Sequence, residues 1–142
     1  MGSIDINIGS QALEGELSRI ADRLPSALTN LLDDLAADVE VLMKDEAPVR
    51  LGDLQNSITT DEVSSLERLI WPTVEHAAFV ILGTRPHVIE GSPWLYWEGA
   101  EHPVRRVMHP GTAPNPFPDR AADRADQYIE QRLESFYNDL LE

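Results

Sequence analysis

Gly83-Thr84-Arg85-Pro86-His87-Val88-Ile89 opens, and His109-Pro110-Gly111-Thr112-Ala113-Pro114-Asn115-Pro116-Phe117 closes, the stretch on which this chain is organised. Its glycines and prolines fix turns rather than carry chemistry. Between the two lie Trp94-Leu95-Tyr96-Trp97 and Val104 to Met108. Three strands are expected, around Val88–Glu90, Trp94–Glu98 and Val104–Met108. Alternation along a strand places Trp94 and Tyr96 on one face, Leu95 and Trp97 on the other. A strand apolar on both faces is either sandwiched in a core or offers one face to a partner, and tryptophan and tyrosine are favoured anchors at interfaces. Both readings stay open. Arg105-Arg106 could bridge to a neighbour's carboxylates or belong to a salt-bridged surface.

Downstream, Pro118-Asp119 marks a helix start, with proline in the first turn and an acid near the positive end of the dipole. Ala122, Ala125, Ile129, Leu133, Phe136 and Leu140 are expected to form its buried stripe. Upstream, residues 1–9 read as a short leader without a period. Leu13, Leu17, Ile20 and Leu24 recur at helical spacing, and Pro25 should end or kink that helix because its ring lacks the N–H and clashes with the preceding turn. Leu28, Leu31, Leu32, Leu35, Val39 and Leu42 then make a strong amphipathic helix over about Ser26–Glu46, stopped by Ala47-Pro48. Pro48 to Ser57 is a connector with one glycine turn. Ile58–Val63 and Leu66–Val74 read as a hairpin turning near Ser64-Ser65, with Pro72 at an edge or a bulge. His76–Leu82 reads as a short helix. The expected fold is one α+β domain over 1–142. A long N-terminal helix, kinked or split at Pro25, and a C-terminal helix cover a small antiparallel β-sheet.

Eleven basic residues stand against 25 acidic ones, for a net charge of −14, and Lys44 is the single lysine. Such a surface repels phosphate, which argues against nucleic-acid grip by a basic face. Two sources fit this charge, a halophile and an ordinary acidic cytosolic protein; carboxylate crowding with almost no lysine favours the first, since at about 1 M salt the Debye length falls to about 3 Å. No apolar run is long enough to cross a bilayer. The chain contains no cysteine, hence no disulfide framework and no thiolate ligand.

The four histidines (His76, His87, His102, His109) lack the compact spacing that places two ligands on one face of an element. There is no Gly-x-Ser-x-Gly elbow and no phosphate-cradling glycine loop. The carboxylates are too numerous for any pair to stand out. No catalytic, cofactor or metal residue is therefore assigned, and the chain is not read as an enzyme. The alternatives are a metal-dependent hydrolase using His87, His102 and His109, or an acidic binding or inhibitor module.

Three blocks in order carry a family resemblance: Ala47-Pro48-Val49-Arg50-Leu51-Gly52-Asp53-Leu54-Gln55-Asn56-Ser57-Ile58, then Val80-Ile81-Leu82-Gly83-Thr84-Arg85-Pro86-His87-Val88-Ile89, then His109 to Phe117. Together they resemble the tail-completion, or neck, proteins of long-tailed phages over roughly residues 26–140. His76, Ile81 and Pro118 depart from it, where the family usually has tyrosine, glutamate, and leucine or isoleucine.

The resemblance implies a virion structural protein, assembled in the host cytoplasm into a homo-oligomeric ring, a hexamer as is usual there, in the neck or upper tail. Its partners would be itself and the neighbouring head-closure, tail-terminator and tube proteins. DNA would pass through the lumen without specific binding, and no membrane or cofactor is implied. With the acidic composition, a virus of a haloarchaeon is suggested. On this reading the two loops dock side by side. The contact surface to neighbours is drawn from Gly83, Thr84, Arg85, Pro86, His87, Trp94, Trp97, Arg105, Arg106, His109, Pro110, Gly111, Thr112, Asn115, Pro116 and Phe117.

Overall fold

The computed structural model describes residue 2 and residues 9–50 and 52–142. Most of the expected leader, and Leu51 of the first motif block, lie outside the described residues. The element order is α1 (Ser10–Glu46), α2 (Asp53–Asn56), β1 (Ile58–Ser64), β2 (Glu67–Pro72), α3 (Ala77–Leu82), β3 (His87–Leu95), β4 (Val104–His109) and α4 (Phe117–Leu141). The α+β class is as expected.

Helix α1 is the spine. It runs 37 residues without a break, so Pro25 sits inside the helix and does not split it. Proline removes one backbone bond and costs roughly 3 kcal/mol in a helix interior. Around it, Ser26 Oγ donates to the Arg23 carbonyl at 2.9 Å and Thr29 Oγ1 to the Pro25 carbonyl at 3.1 Å. Packing against α4 begins at the same level, where the Arg23 guanidinium reaches the Asp139 carbonyl.

Helix α4 lies antiparallel along α1. Arg132 forks onto Asp38 at 2.8 and 3.0 Å, Arg124 contacts Asp45 and Glu46 at 2.7 Å each, and Arg120 reaches Glu46 at 2.9 Å. Acids on one helix and arginines on the other thus set the register of the seam. The buried face of α4 carries Phe117, Ala121, Ala125 and Leu140. Ala122 and Ile129, expected in the stripe, are exposed; the buried face runs through Phe117, Ala121 and Ala125, at i, i+4 and i+8.

The β1–β2 hairpin pairs Ile58 with Pro72 through Glu62 with Arg68, and its register shifts between Glu62 and Ser64. Pro72 ends β2, and Thr73 N–H just beyond it donates to the Ser57 carbonyl at 3.1 Å. Ile58 is buried with Leu42, Met43, Ala47, Leu54, Ala77 and Phe117 in the core. Arg68 donates to Asp33 at 2.7 Å and Thr60 to Glu40 at 2.7 Å, which ties the hairpin to α1.

The second pair, β3–β4, forms a separate two-stranded sheet. One small sheet covered by helices was expected. The chain instead makes two ribbons, and only β1–β2 packs substantially on α1. The expected strands Val88–Glu90 and Trp94–Glu98 also merge, because β3 continues through an irregularity between Glu90 and Leu95 and ends before Tyr96. Among the described residues no helix or other strand packs on β3–β4 to a comparable extent, so this ribbon projects as an arm. No described helix is long and apolar enough to cross a membrane.

Candidate functional site

The arm is stapled at its base by the two glycine–proline loops. Thr84 N–H donates to the Thr112 carbonyl at 2.9 Å, and Thr112 N–H donates back to the Thr84 carbonyl at 3.0 Å. So close an approach demands glycine on both sides. Gly83 and Gly111 both have positive φ, +73° and +87°. A Cβ on Gly83 would lie 2.5 Å from the Thr112 carbonyl oxygen and 2.8 Å from Pro114 N. One on Gly111 would run into the Thr84 carbonyl and the Arg85 backbone. The loops therefore lie side by side. The Thr84 hydroxyl, buried between them, has no hydrogen-bond partner among the described residues.

The second loop is anchored to the body. Asn115 N–H donates to the Val80 carbonyl at 3.0 Å, and Asn115 Oδ1 accepts from Arg120 at 2.8 Å. Pro116 precedes the first turn of α4, and Phe117 is fully buried at 0% exposure. Phe117 was expected at a partner surface. That placement is corrected: its ring is already spent on the core, and Asn115 is engaged in holding the loop. Glu46, which accepts from Arg120 and Arg124 at this corner, has its carboxyl pulled below the ordinary value of 4.5, first by the Arg120 hydrogen bond and then by that of Arg124.

Where the arm leaves the staple, His87 and His109 are cross-strand partners with ring centroids 5.1 Å apart. His87 Nδ1 lies 2.9 Å from the Arg85 carbonyl, which can only accept, so that nitrogen carries the proton. His109 Nδ1 accepts from Gly111 N–H at 3.0 Å, so its proton sits on Nε2. Both rings spend Nδ1 on the backbone of the loops they border. The metal alternative needed His102 as well. The structure brings together only two of the three imidazoles, and among the described residues no three His, Cys, Asp or Glu side chains converge.

The aromatic residues face solvent. Trp94 is 54%, Tyr96 70% and Trp97 47% exposed, which decides between core and surface in favour of surface. The Arg105 guanidinium lies 4.6 Å over the Trp94 ring, a cation–π contact that stiffens that face of the arm. Arg106 sits 3.8 Å from its cross-strand partner Glu90 with both side chains exposed, so this pair contributes little. A groove of about 520 Å³ opens between the strands and the residues after β3. Ile89, Leu95, Tyr96, Trp97, Val107 and Met108 line it, joined by Arg50 from the connector after α1. Sequence reading weighed Tyr96 as a possible anchor and missed Arg50 and Met108 as members of this surface. The available signal was Arg50, an unmatched cation inside the first motif block.

No family model, curated protein or solved structure matches this chain.

Proposed function

We propose that the chain is a virion structural protein, a ring-forming subunit of the tail-completion or neck type that joins head connector to tail tube. One observation carries this reading: a β-hairpin arm, stapled to a helical body by two glycine–proline loops, presents Trp94, Tyr96, Trp97 and Met108 to solvent. Exposed clusters of large apolar side chains mark interaction sites, and tryptophan and tyrosine dominate the energetics of such sites. A stiff base lowers the entropy lost on docking, because the loop prolines and the Thr84–Thr112 staple already fix the arm's root.

The three motif blocks support it further: the second and third fall on the junctions that hold the arm, and the first supplies Arg50 to its groove. The first carries the chain from the end of α1 through α2 into β1. The second carries it from α3 into β3, and the third runs from β4 through the staple into α4. On this reading copies close into a hexameric ring and meet head-closure and tail-terminator or tube proteins on its two sides. A lumen lined by a chain of net charge −14 would let DNA slide without holding it. The acidic, lysine-poor surface fits a virus of a salt-adapted host.

The test is absolute quantification of the protein in purified particles from its source, by mass spectrometry against a labelled standard. The expected result is one ring's copy number per portal. Absence from particles overturns the proposal.

A further inference from the structure

The apolar seam of α1 is longer than the helix that covers it. Leu13, Leu17, Ile20, Leu24, Leu28, Leu31, Leu35 and Leu42 fall within one narrow sector at about 100° per residue. Helix α4 covers this seam only from the level of Arg23, where it ends against the Arg23 guanidinium at Asp139. The turns before Arg23 overhang by about 20 Å at 1.5 Å per residue. There Leu13 is 52% and Leu17 56% exposed. The overhang is an amphipathic helix with anchors at i, i+4 and i+7: Leu13 and Leu17 stand exposed with no described residue over them, and half-buried Ile20 continues the stripe toward α4. That spacing is how a helix enters an apolar groove.

The same chain carries such a groove at its other end. The arm's groove of about 520 Å³ lies beside Arg50, just past the C-terminus of α1. It falls in the size range of about 300–1,000 Å³ typical of sites that bury a ligand. Leu24 and Glu46 are separated by about 33 Å along the helix, so the groove and the overhang of one copy stand at opposite ends of its spine. A chain cannot fill its own groove.

Charge selects the occupant. Residues 83–112 hold three arginines and three glutamates, so the arm is neutral while the rest of the chain carries the full −14. Two bodies this acidic repel each other, and the arm is the part that can approach another copy without that penalty. Glu14 and Glu16 flank the apolar stripe on the overhang, Glu16 already paired with Arg19 one turn on and Glu14 in no ion pair among the described residues. Arg50 at the groove and Arg85 at the arm's base have no carboxylate partner among the described residues.

We infer that the groove of one copy's arm receives the N-terminal turns of α1 from the next copy, head to tail, with Leu13, Leu17 and Ile20 against Trp97, Leu95 and Met108. The contact is heterologous: each copy uses one end to give and the other to receive, which closes into a ring when the rotation allows. This deepens the ring reading above and rests on the chain self-associating.

The absence of native cysteine makes a direct test available. Leu17→Cys and Met108→Cys, both at exposed positions, are purified separately, mixed at high salt and treated with a short bismaleimide. Oligomeric state is followed by native mass spectrometry. The expected result is a covalent dimer joining position 17 of one variant to position 108 of the other, formed in the mixture and in neither variant alone. Leu17→Glu, which leaves the buried core untouched, should abolish the oligomer while keeping the wild-type circular dichroism. Cross-linking of Leu17→Cys to itself would mean that overhangs pair with each other and would overturn the inference. An oligomer without the 17–108 link would overturn this contact and leave the ring reading standing. A monomer at every concentration would overturn both.

Discussion

Two glycines decide whether the arm has a fixed root. At Gly83 and Gly111 a positive φ coincides with a backbone approach that leaves no room for Cβ, so neither the torsion nor the space tolerates a side chain. Gly111→Val should break the Thr84–Thr112 bridge, since strain of this kind amounts to roughly 1–3 kcal/mol before the clash is counted. The helical body does not depend on that bridge. The expected outcome is faster amide exchange at Thr84 and Thr112 with the melting of the α1–α4 body nearly unchanged, and reduced self-association. Unchanged exchange at both amides would show that the loops hold each other by other means. These loops were legible in the sequence because glycine beside proline has few conformations to choose from. The histidine tautomers, the Arg105–Trp94 stack and the entry of Arg50 into the groove were not, because each depends on distances between elements that no local pattern records.

At the scale of elements, local pattern and tertiary context part company at identifiable places. Pro25 argued for a helix that is kinked or split; the helix is not split, and the seam with α4 begins at the same level, at Arg23. Trp94–Glu98 read as a strand of its own, yet strand pairing stops at Leu95, and Tyr96, Trp97 and Glu98 fall in the segment after it. Two apolar strand pairs suggested one sheet, but nothing in strand periodicity says whether two hairpins share an edge. The β1–β2 hairpin and the final helix were readable, since each has its own period and its own stop signal, whereas the short, nearly all-apolar run that became α3 has no period that separates a helix turn from a buried strand.

The α1–α4 seam also makes a pH prediction. The Glu46 carboxyl is held below its ordinary value by Arg120 and Arg124, so its contribution to stability is present above the unfolded value of 4.5 and is lost as pH falls through the lower folded value. The melting temperature of Glu46→Gln should therefore lie below that of wild type near neutral pH. The difference should close once the solution is more acidic than the folded-state value. A gap that persists unchanged in acid would assign the loss to altered packing rather than to charge.

For the whole molecule, the question is whether salt strengthens or weakens the fold, because two opposing sets of charges are present. The α1–α4 seam and the Arg68–Asp33 contact are attractions that salt screens. They are largely exposed on at least one partner, and such pairs contribute about 0–1 kcal/mol each. Against them stand 25 carboxylates for 11 cations, a majority that no pairing scheme can neutralise. The molecule is also elongated, with a 37-residue spine of about 55 Å, which spreads like charge along an exposed helix rather than balancing it. In dilute buffer of about 0.01 M the Debye length is about 30 Å, so carboxylates on the body repel across several turns; at about 1 M it is about 3 Å and only direct neighbours interact. Repulsion thus loses more to screening than the ion pairs do, and net stability should rise with salt. The measurement is thermal unfolding by circular dichroism in potassium chloride from dilute buffer to about 1 M, with sucrose as a control for non-ionic stabilisation. A melting temperature that climbs with salt and not equally with sucrose is expected. The arm is neutral, so self-association should strengthen over the same range as body-to-body repulsion fades. A flat or falling melting temperature would mean that the seam's arginines outweigh the excess carboxylates, and would remove the case for a salt-adapted source.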